Sequence, residues 1–203
     1  MDQTTSSTAV SEIIADVRVL LNDSQSPYFH SDPDLLRYIN LGRTYVARDA
    51  SSLQATEDIT LTTALEYTPT SNYLSILAVI YTPASGSSKA LVQGSPKKVG
   101  TVSEPGEPVY WYEFAGKVGV YPQLSAATTE KITLYYVTLP TTTLETTDNL
   151  DTPKATDSAL EFYAAGLALI KERKYGASAH MLGQADVELR KAAVALKMME
   201  PVE

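Results

Sequence analysis

The side chains able to act as metal ligands or catalysts are few and far apart in this 203-residue sequence. The two histidines, His30 and His180, do not occur at the His-Glu-x-x-His spacing that places two ligands on one helix face. Cysteine is absent, so neither a thiolate nucleophile nor a disulfide framework can form. We interpret both histidines as surface or packing residues.

Acidic and glycine-containing segments also fail to complete a known site. Asp148, Asp151 and Asp157 lack the glycine and the closing glutamate of a calcium loop, so helix caps and solvated loop charges explain them better. The segment 116–119 is not followed by the Lys-Ser/Thr pair of a phosphate-binding loop. No serine stands in a Gly-x-Ser-x-Gly elbow. The sequence therefore predicts no catalytic residue, no metal ligand and no cofactor, and the protein is not expected to be an enzyme.

Two amphipathic helices are predicted near the beginning of the chain. Apolar residues recur at steps of three and four over 11–22 and again over 33–50. Asp32 is the expected cap of the second helix, with Pro33 in its first turn. Gly42 lies inside this helix, which indicates either a close crossing with another helix or a helix end near Leu41.

The pattern changes to strands over residues 57–138 and returns to helix over 153–199. The clearest hairpin joins 110–114 to 117–121, with Gly116 in the turn. Small residues such as Ala164 and Gly166 would let a neighbouring helix approach closely. We predict an α+β fold in which a helical bundle from the N- and C-terminal segments (1–55 and 146–203) carries an inserted antiparallel β domain (56–145).

The predicted hairpin contains a cluster of aromatic residues that permits two interpretations. Because alternate strand residues point to opposite faces, Tyr110, Tyr112 and Phe114 can fill a core while Trp111 faces outward. An outward tryptophan would anchor a protein interface or stack on a sugar or base. Ordinary packing against the helices is the alternative. The other candidate interface residues lie in two predicted loops and at the C-terminus: Ser85, Gly86, Lys89, Glu104, Glu107, Met198 and Met199.

The charge and hydropathy of the chain restrict its partners and location. The net charge is −8, so the protein should repel a nucleic-acid backbone rather than bind it. Residues 1–8 are polar and do not resemble a signal peptide. No apolar run is long enough to cross a bilayer. We expect a soluble protein, with no membrane partner, that is made in the cytoplasm.

The order of these elements resembles that of bacteriophage head-to-tail adaptor proteins, also called connector or head-completion proteins. The resemblance covers residues 10–196. It involves the run DPDLLRYIN at 32–40, the run WYEFAGKVGVYP at 111–122, the strand Leu134-Tyr135-Tyr136 and the Ala-rich helix that starts at Pro153.

The resemblance implies a structural protein of the virion neck that assembles as a ring, usually of twelve subunits. Such a ring docks beneath the portal protein, extends the DNA channel and offers a platform for the tail or nozzle protein. DNA would pass through it without specific binding, and an acidic wall suits that passage. In that family the helices form a bundle and the β portion is inserted between them.

Two other functions remain open at this point. One is a β-rich carbohydrate- or protein-binding module of the virion or tail that uses Trp111. The other is an acid-pair hydrolase that uses Glu113 and Glu130, although two strand carboxylates alone define neither a separation nor a burial.

Overall fold

The computed structural model describes residues 8–99, 104–127 and 129–198, and its mixture of helices and largely antiparallel sheets is compatible with the predicted α+β class. The helices are α1 (Val10–Leu20), α2 (Asp32–Ala50), α3 (Pro96–Val99), α4 (Asp157–Lys171), which follows a 3-10 turn at Lys154–Thr156, and α5 (Tyr175–Met198). The strands are β1 (Gln54–Thr60), β2 (Glu66–Tyr67), β3 (Tyr73–Thr82), β4 (Lys89–Ala90), β5 (Val92–Gln93), β6 (Tyr110–Phe114), β7 (Lys117–Tyr121) and β8 (Lys131–Thr138).

The chain divides into two compact units. The helical unit comprises the residues up to Leu53 and those from Leu139 onward, and the β unit comprises Gln54–Thr138. The second boundary lies seven residues before the predicted 145/146. The connector after Leu139 is tied to α2, where Asn40 Nδ2 donates to Leu144 O over 3.2 Å and Asn40 Oδ1 accepts from Leu144 N over 2.9 Å.

The core of the helical unit is formed by apolar faces of α1, α2 and α4. Ile13, Leu35 and Leu160 are fully buried within it, and Leu144 of the connector packs there as well. Spacing of apolar residues by three and four placed these side chains on one face of each helix. Because α1 and α2 are short amphipathic helices, burial of these faces supplies most of their stability.

The glycine in α2 marks a close helix crossing. A Cβ atom added at Gly42 would lie 2.5 Å from Leu160 Cδ1 of α4, and α2 continues to Ala50. The alternative of a helix end near Leu41 is therefore wrong. The predicted cap also shifts by one residue, because Ser31 Oγ rather than Asp32 accepts the Asp34 amide.

A buried arginine joins α2 to the connector. Arg43 is 1 % exposed and forms an ion pair with Asp151. Its Nη1 donates to Asn40 Oδ1 over 2.7 Å and to Thr142 O over 3.0 Å. A charge buried this fully is tolerated because its donors are satisfied by these acceptors.

The β unit contains two four-stranded sheets in the described part of the chain. One has the order β1-β8-β3-β4 and is antiparallel, and the other has the order β2-β7-β6-β5 with a parallel β5–β6 pair. The predicted hairpin is confirmed as β6 and β7, which are joined by Ala115 (φ 50°) and Gly116 (φ 74°). Two consecutive positive φ values are typical of the tight turns that match strand twist.

Candidate functional site

Three loops at one end of β3 and β8 surround a cavity of about 370 Å³ in the β unit, here called the loop cavity. Ser85 comes from the loop after β3, Glu107 from the segment before β6, and Glu130 from the residue before β8. Tyr81 of β3 also lines the cavity. The predicted candidates Ser85 and Glu107, separate in sequence, are thus brought to one place.

Tyr81 organises the polar groups around this cavity. Its hydroxyl donates to Glu130 Oε2 over 2.5 Å, and burial together with this carboxylate raises the pKa of Tyr81 above its ordinary range. Because of this raised pKa, the Tyr81 phenol stays protonated and acts as a hydrogen-bond donor at neutral pH. The Lys89 ammonium lies 5.4 Å from the Tyr81 ring centroid and 2.8 Å from Glu107 Oε1.

The Lys89–Glu107 ion pair is open to solvent, because its two side chains are 38 % and 56 % exposed. Exposed pairs of this kind contribute at most about 1 kcal/mol. Either side chain can therefore leave this ion pair and bind a partner molecule with little loss of folding stability. The cavity itself offers carboxylates and hydroxyls for polar contacts with another molecule, and Lys89, which pairs with Glu107 of its lining, adds a cation beside it.

The remaining loop candidates are placed differently. Gly86 has a φ of 109° in the loop after β3, and Glu104 is exposed at the beginning of the next described segment. Met198 ends α5 in the helical unit. Its side chain and the whole of Met199 lie outside the described residues.

The outward orientation expected for Trp111 is wrong. Trp111 is only 3 % exposed and belongs to the apolar core of the β unit, whereas Phe114 at the hairpin end is 63 % exposed. Tyr112 on the opposite face is also buried, because Gly119 across the hairpin leaves room for its ring. Both faces of β6 are covered at this point. Trp111 is thus packed in a core, as the alternative held, but the residues around it belong to the β unit and not to the helices of the predicted bundle.

The other residues considered for chemistry have structural roles. His30 is buried with Nε2 2.9 Å from Glu172 Oε1, and His180 is exposed, so the surface or packing roles are confirmed. Asp148 accepts from Glu145 N over 2.7 Å, Asp151 pairs with Arg43, and Asp157 opens α4. Among residues 8–99, 104–127 and 129–198, no group of three or more His, Cys, Asp or Glu side chains is arranged to hold a metal ion.

A second surface, which the sequence analysis missed, lies between α1 and α2. Phe29 is 70 % exposed and Tyr28 is 50 % exposed; we call this pair the aromatic tip. Asp23 Oδ1 accepts from Phe29 N over 2.8 Å, and Asp23 Oδ2 accepts from His30 N over 2.9 Å. Burial opposes ionisation of Asp23, but these amides and Arg18 hold its pKa below the ordinary value.

The side chain of Arg18 holds the aromatic tip in place. Its guanidinium lies 3.7 Å from the Tyr28 ring centroid, and its Nη2 donates to His30 O over 2.9 Å. The same side chain pairs with Asp23 over 3.0 Å.

The sequence does contain a signal for the aromatic tip. Tyr28 and Phe29 are two large aromatic residues between Pro27 and the start of a helix, where no apolar periodicity predicts their burial.

A pocket lies near the other end of α2, between this helix and α5. Its volume is about 240 Å³, and its lining residues are Tyr45, Asp49, Asp186, Leu189, Arg190 and Ala193. We call it the α2–α5 pocket. Tyr45 stacks on Tyr163 at 4.5 Å between ring centroids and donates a hydrogen bond to Asp186. Burial, with Asp186 beside it, raises the pKa of Tyr45 above its ordinary range.

No helix in the described part of the chain is both long and apolar enough to span a membrane. In a comparison with protein families, the family model described as SU10 adaptor protein aligns with residues 8–200. This match covers nearly the whole chain. Comparison with curated proteins finds no match.

Proposed function

Because this chain belongs to the SU10 adaptor protein family, we propose that it forms a ring of twelve subunits, the number that the resemblance implies, in the neck of a bacteriophage virion. The ring docks beneath the portal protein, extends the channel through which DNA leaves the capsid, and presents a platform to the tail or nozzle protein. The observation that carries the proposal is the family match over residues 8–200, which also confirms the resemblance to head-to-tail adaptors.

In this proposal the helical unit is the bundle of the adaptor and the β unit is its inserted domain. The division of the chain at Leu53 and Leu139 supports that assignment. The loop cavity supplies polar contacts to a neighbouring protein through Glu107 and Ser85, together with Lys89, which pairs with Glu107. The net charge of −8 supports passage of DNA without specific binding, because phosphates are repelled from an acidic wall.

The carbohydrate-binding alternative has less support, because the tryptophan it requires is buried. The acid-pair alternative is weakened as well. Glu130 bonds to Tyr81 at the loop cavity, whereas Glu113 lies on β6 near Tyr73. Neither alternative accounts for the family match.

The proposal is tested by mixing the purified protein with portal rings of the phage that encodes it. Analytical ultracentrifugation and electron microscopy of the mixture should show a stable complex in which a second ring is stacked coaxially on the portal. Bovine serum albumin, another acidic protein, serves as the control for non-specific acidic association. A chain that stays monomeric beside intact portal rings over a range of salt concentrations would overturn the proposal.

A further inference from the structure

On the basis of the neck assembly proposed above, we propose that the open edge of β1 receives an extended strand of a different neck protein, which adds to the sheet β1-β8-β3-β4 through backbone hydrogen bonds. Addition of a strand to a free sheet edge is a recurring mode of protein recognition. β1 ends this sheet and, among the described residues, pairs with β8 alone. The side of β1 that faces away from β8 is here called the β1 edge.

Two hydrogen bonds fix which backbone groups of β1 point toward this edge. Leu61 N donates to Glu130 O over 2.8 Å, just beyond the last β1–β8 residue pair. Leu91 N donates to Val79 O over 2.9 Å, on the side of β3 that faces away from β8. Because bonded and non-bonded residue pairs alternate along an antiparallel ladder, both bonds indicate that every second residue of β1 directs its N–H and C=O away from β8. These outward residues are Gln54, Thr56, Asp58 and Thr60.

The β1 edge is accessible and regular. All four outward residues are exposed, and their backbone N–H and C=O groups bond to no other part of the described chain. The pairing with β8 extends over seven residues without a register shift, and β1 contains neither the lysine nor the proline that protects many sheet edges. Its two carboxylates are already bound within the β unit, since Glu57 accepts from Thr70 N over 2.8 Å and Asp58 pairs with Lys131 over 2.5 Å.

The side chains of β1 define the segment that fits this edge. Ala55 and Ile59 are half-buried and pack against the apolar core of the β unit, whereas the outward residues present polar side chains to solvent. A strand added to the sheet continues this alternation of faces. The added strand therefore carries apolar side chains four residues apart, beside Ala55 and Ile59, and polar side chains on its opposite face.

A second copy of the chain offers no strand that fits the β1 edge within a ring. Pairing of β1 with β1 of another subunit is two-fold and joins only two copies, whereas a ring needs a contact that repeats in one direction. The other edge strands are unsuitable, because β2, β4 and β5 have two residues each and the pairing of β3 over 73–78 contains two register shifts. Since no described strand matches the β1 edge in length and regularity, the occupant is a different protein.

Hydrogen exchange tests the proposal residue by residue. In the free protein the amides of Ala55, Glu57 and Ile59 should be protected by β8, and the amides of the outward residues should exchange rapidly. After assembly on portal rings, or after addition of the tail protein to that complex, the outward amides should slow by about tenfold or more. Exchange in the complex is quenched, the protein is dissociated, and the amides are measured by nuclear magnetic resonance.

A proline substitution blocks the edge without removing a hydrogen bond of the sheet. Thr56→Pro removes an outward N–H and places the proline ring where the added strand would lie, and proline is tolerated at such a position of an edge strand. It should weaken binding of the partner by about tenfold. Thr56→Val keeps the N–H and is the matched control, which should bind normally. Ala55→Pro removes an N–H bonded to β8 and should lower the melting temperature, which checks the alternation independently.

The outcomes distinguish this interface from the assembly itself. Outward amides that exchange rapidly in complexes with both partners, or a Thr56→Pro variant that folds and binds normally, would overturn the interface and leave the proposed function standing. Slow outward amides in the monomer would assign the edge to a segment of the same chain outside the described residues, and slow amides in self-assembled protein alone would assign it to a second copy. Either result overturns the interface. Failure of the unmodified chain to assemble on portal rings would instead overturn the proposed function and this interface with it.

Discussion

Phe29 in the helical unit is 70 % exposed, whereas Trp111 in the β unit is 3 % exposed. Both belong to short aromatic runs beside a turn. The hairpin around Trp111 is covered on both faces because Gly119 admits the ring of Tyr112. The aromatic tip around Phe29 is instead supported by Arg18 and Asp23, which bind its backbone, while the Phe29 ring touches only the edge of the His30 ring (5.0 Å between centroids) among the ring contacts described and stays exposed.

The difference teaches that an aromatic cluster indicates an interface only when the structure shows how it is supported. Apolar neighbours on both sides make Trp111 a core residue. Ion pairs and backbone hydrogen bonds leave Phe29 exposed, because they stabilise the loop without covering its side chain.

The largest expected effect tests this contrast directly. Trp111→Ala should lower the free energy of unfolding by about 3–5 kcal/mol, because it leaves a cavity in the β unit. Phe29→Ala should change it by no more than about 0.5 kcal/mol, because the side chain is on the surface. Guanidinium denaturation followed by circular dichroism measures both. Equal losses for the two variants would contradict the assigned environments.

The second test removes the support of the aromatic tip. Arg18→Met should destabilise the protein by on the order of 3 kcal/mol, since it removes a buried guanidinium and leaves the partly buried carboxylate of Asp23 without its cation. Hydrogen exchange at the Phe29 and His30 amides should accelerate at the same time. Arg37→Met, at an exposed position of α2, is the control and should have neither effect.

A third test contrasts Asp23 with another carboxylate of the helical unit. Burial, with Asp16 and Asp157 nearby, raises the pKa of Glu161 to about 7. The folded state therefore holds a proton that the unfolded state has released, and stability falls as pH rises from 4.5 to about 7. Glu161→Gln should remove this slope and stabilise the protein at pH 8 by on the order of 2 kcal/mol. Chemical denaturation across this pH range measures the slope, and an unchanged slope in the variant would assign it to other groups.

The smallest effect is expected at the loop cavity. Lys89→Gln should change the free energy of unfolding by less than about 0.5 kcal/mol, because the Lys89–Glu107 pair is exposed. The same substitution should weaken association with a partner that uses this surface, which sedimentation with portal rings would reveal. A large loss of thermal stability would show that the pair supports the loops rather than a contact.

Local signals in the sequence sufficed for several elements of the fold. Pro33 and the acidic first turn marked the start of α2, and the turn at Gly116 fixed the hairpin register. Gly42 was correctly associated with a helix crossing, because glycine inside a helix is less stable than alanine and close packing of another helix explains its presence.

The surfaces depended on contacts that local patterns do not contain. The tip is held in part by His30 and Glu172, which are 142 residues apart. The burial of Trp111 requires a covered face on each side of its sheet, so strand alternation alone could not orient it. Likewise, Ser85 and Glu107 meet only because their loops leave the same end of the β unit.

The division of the helical unit between the two ends of the chain also has a consequence for its synthesis. The β unit is contiguous and can close once Thr138 has left the ribosome, but α1 and α2 must wait for α4. About 100 residues separate α2 from α4, so at roughly 5–20 residues per second the wait lasts on the order of ten seconds. During that interval the nascent N-terminal segment presents its apolar faces to trigger-factor-like chaperones, and proteolysis of stalled chains should find it sensitive until α4 emerges.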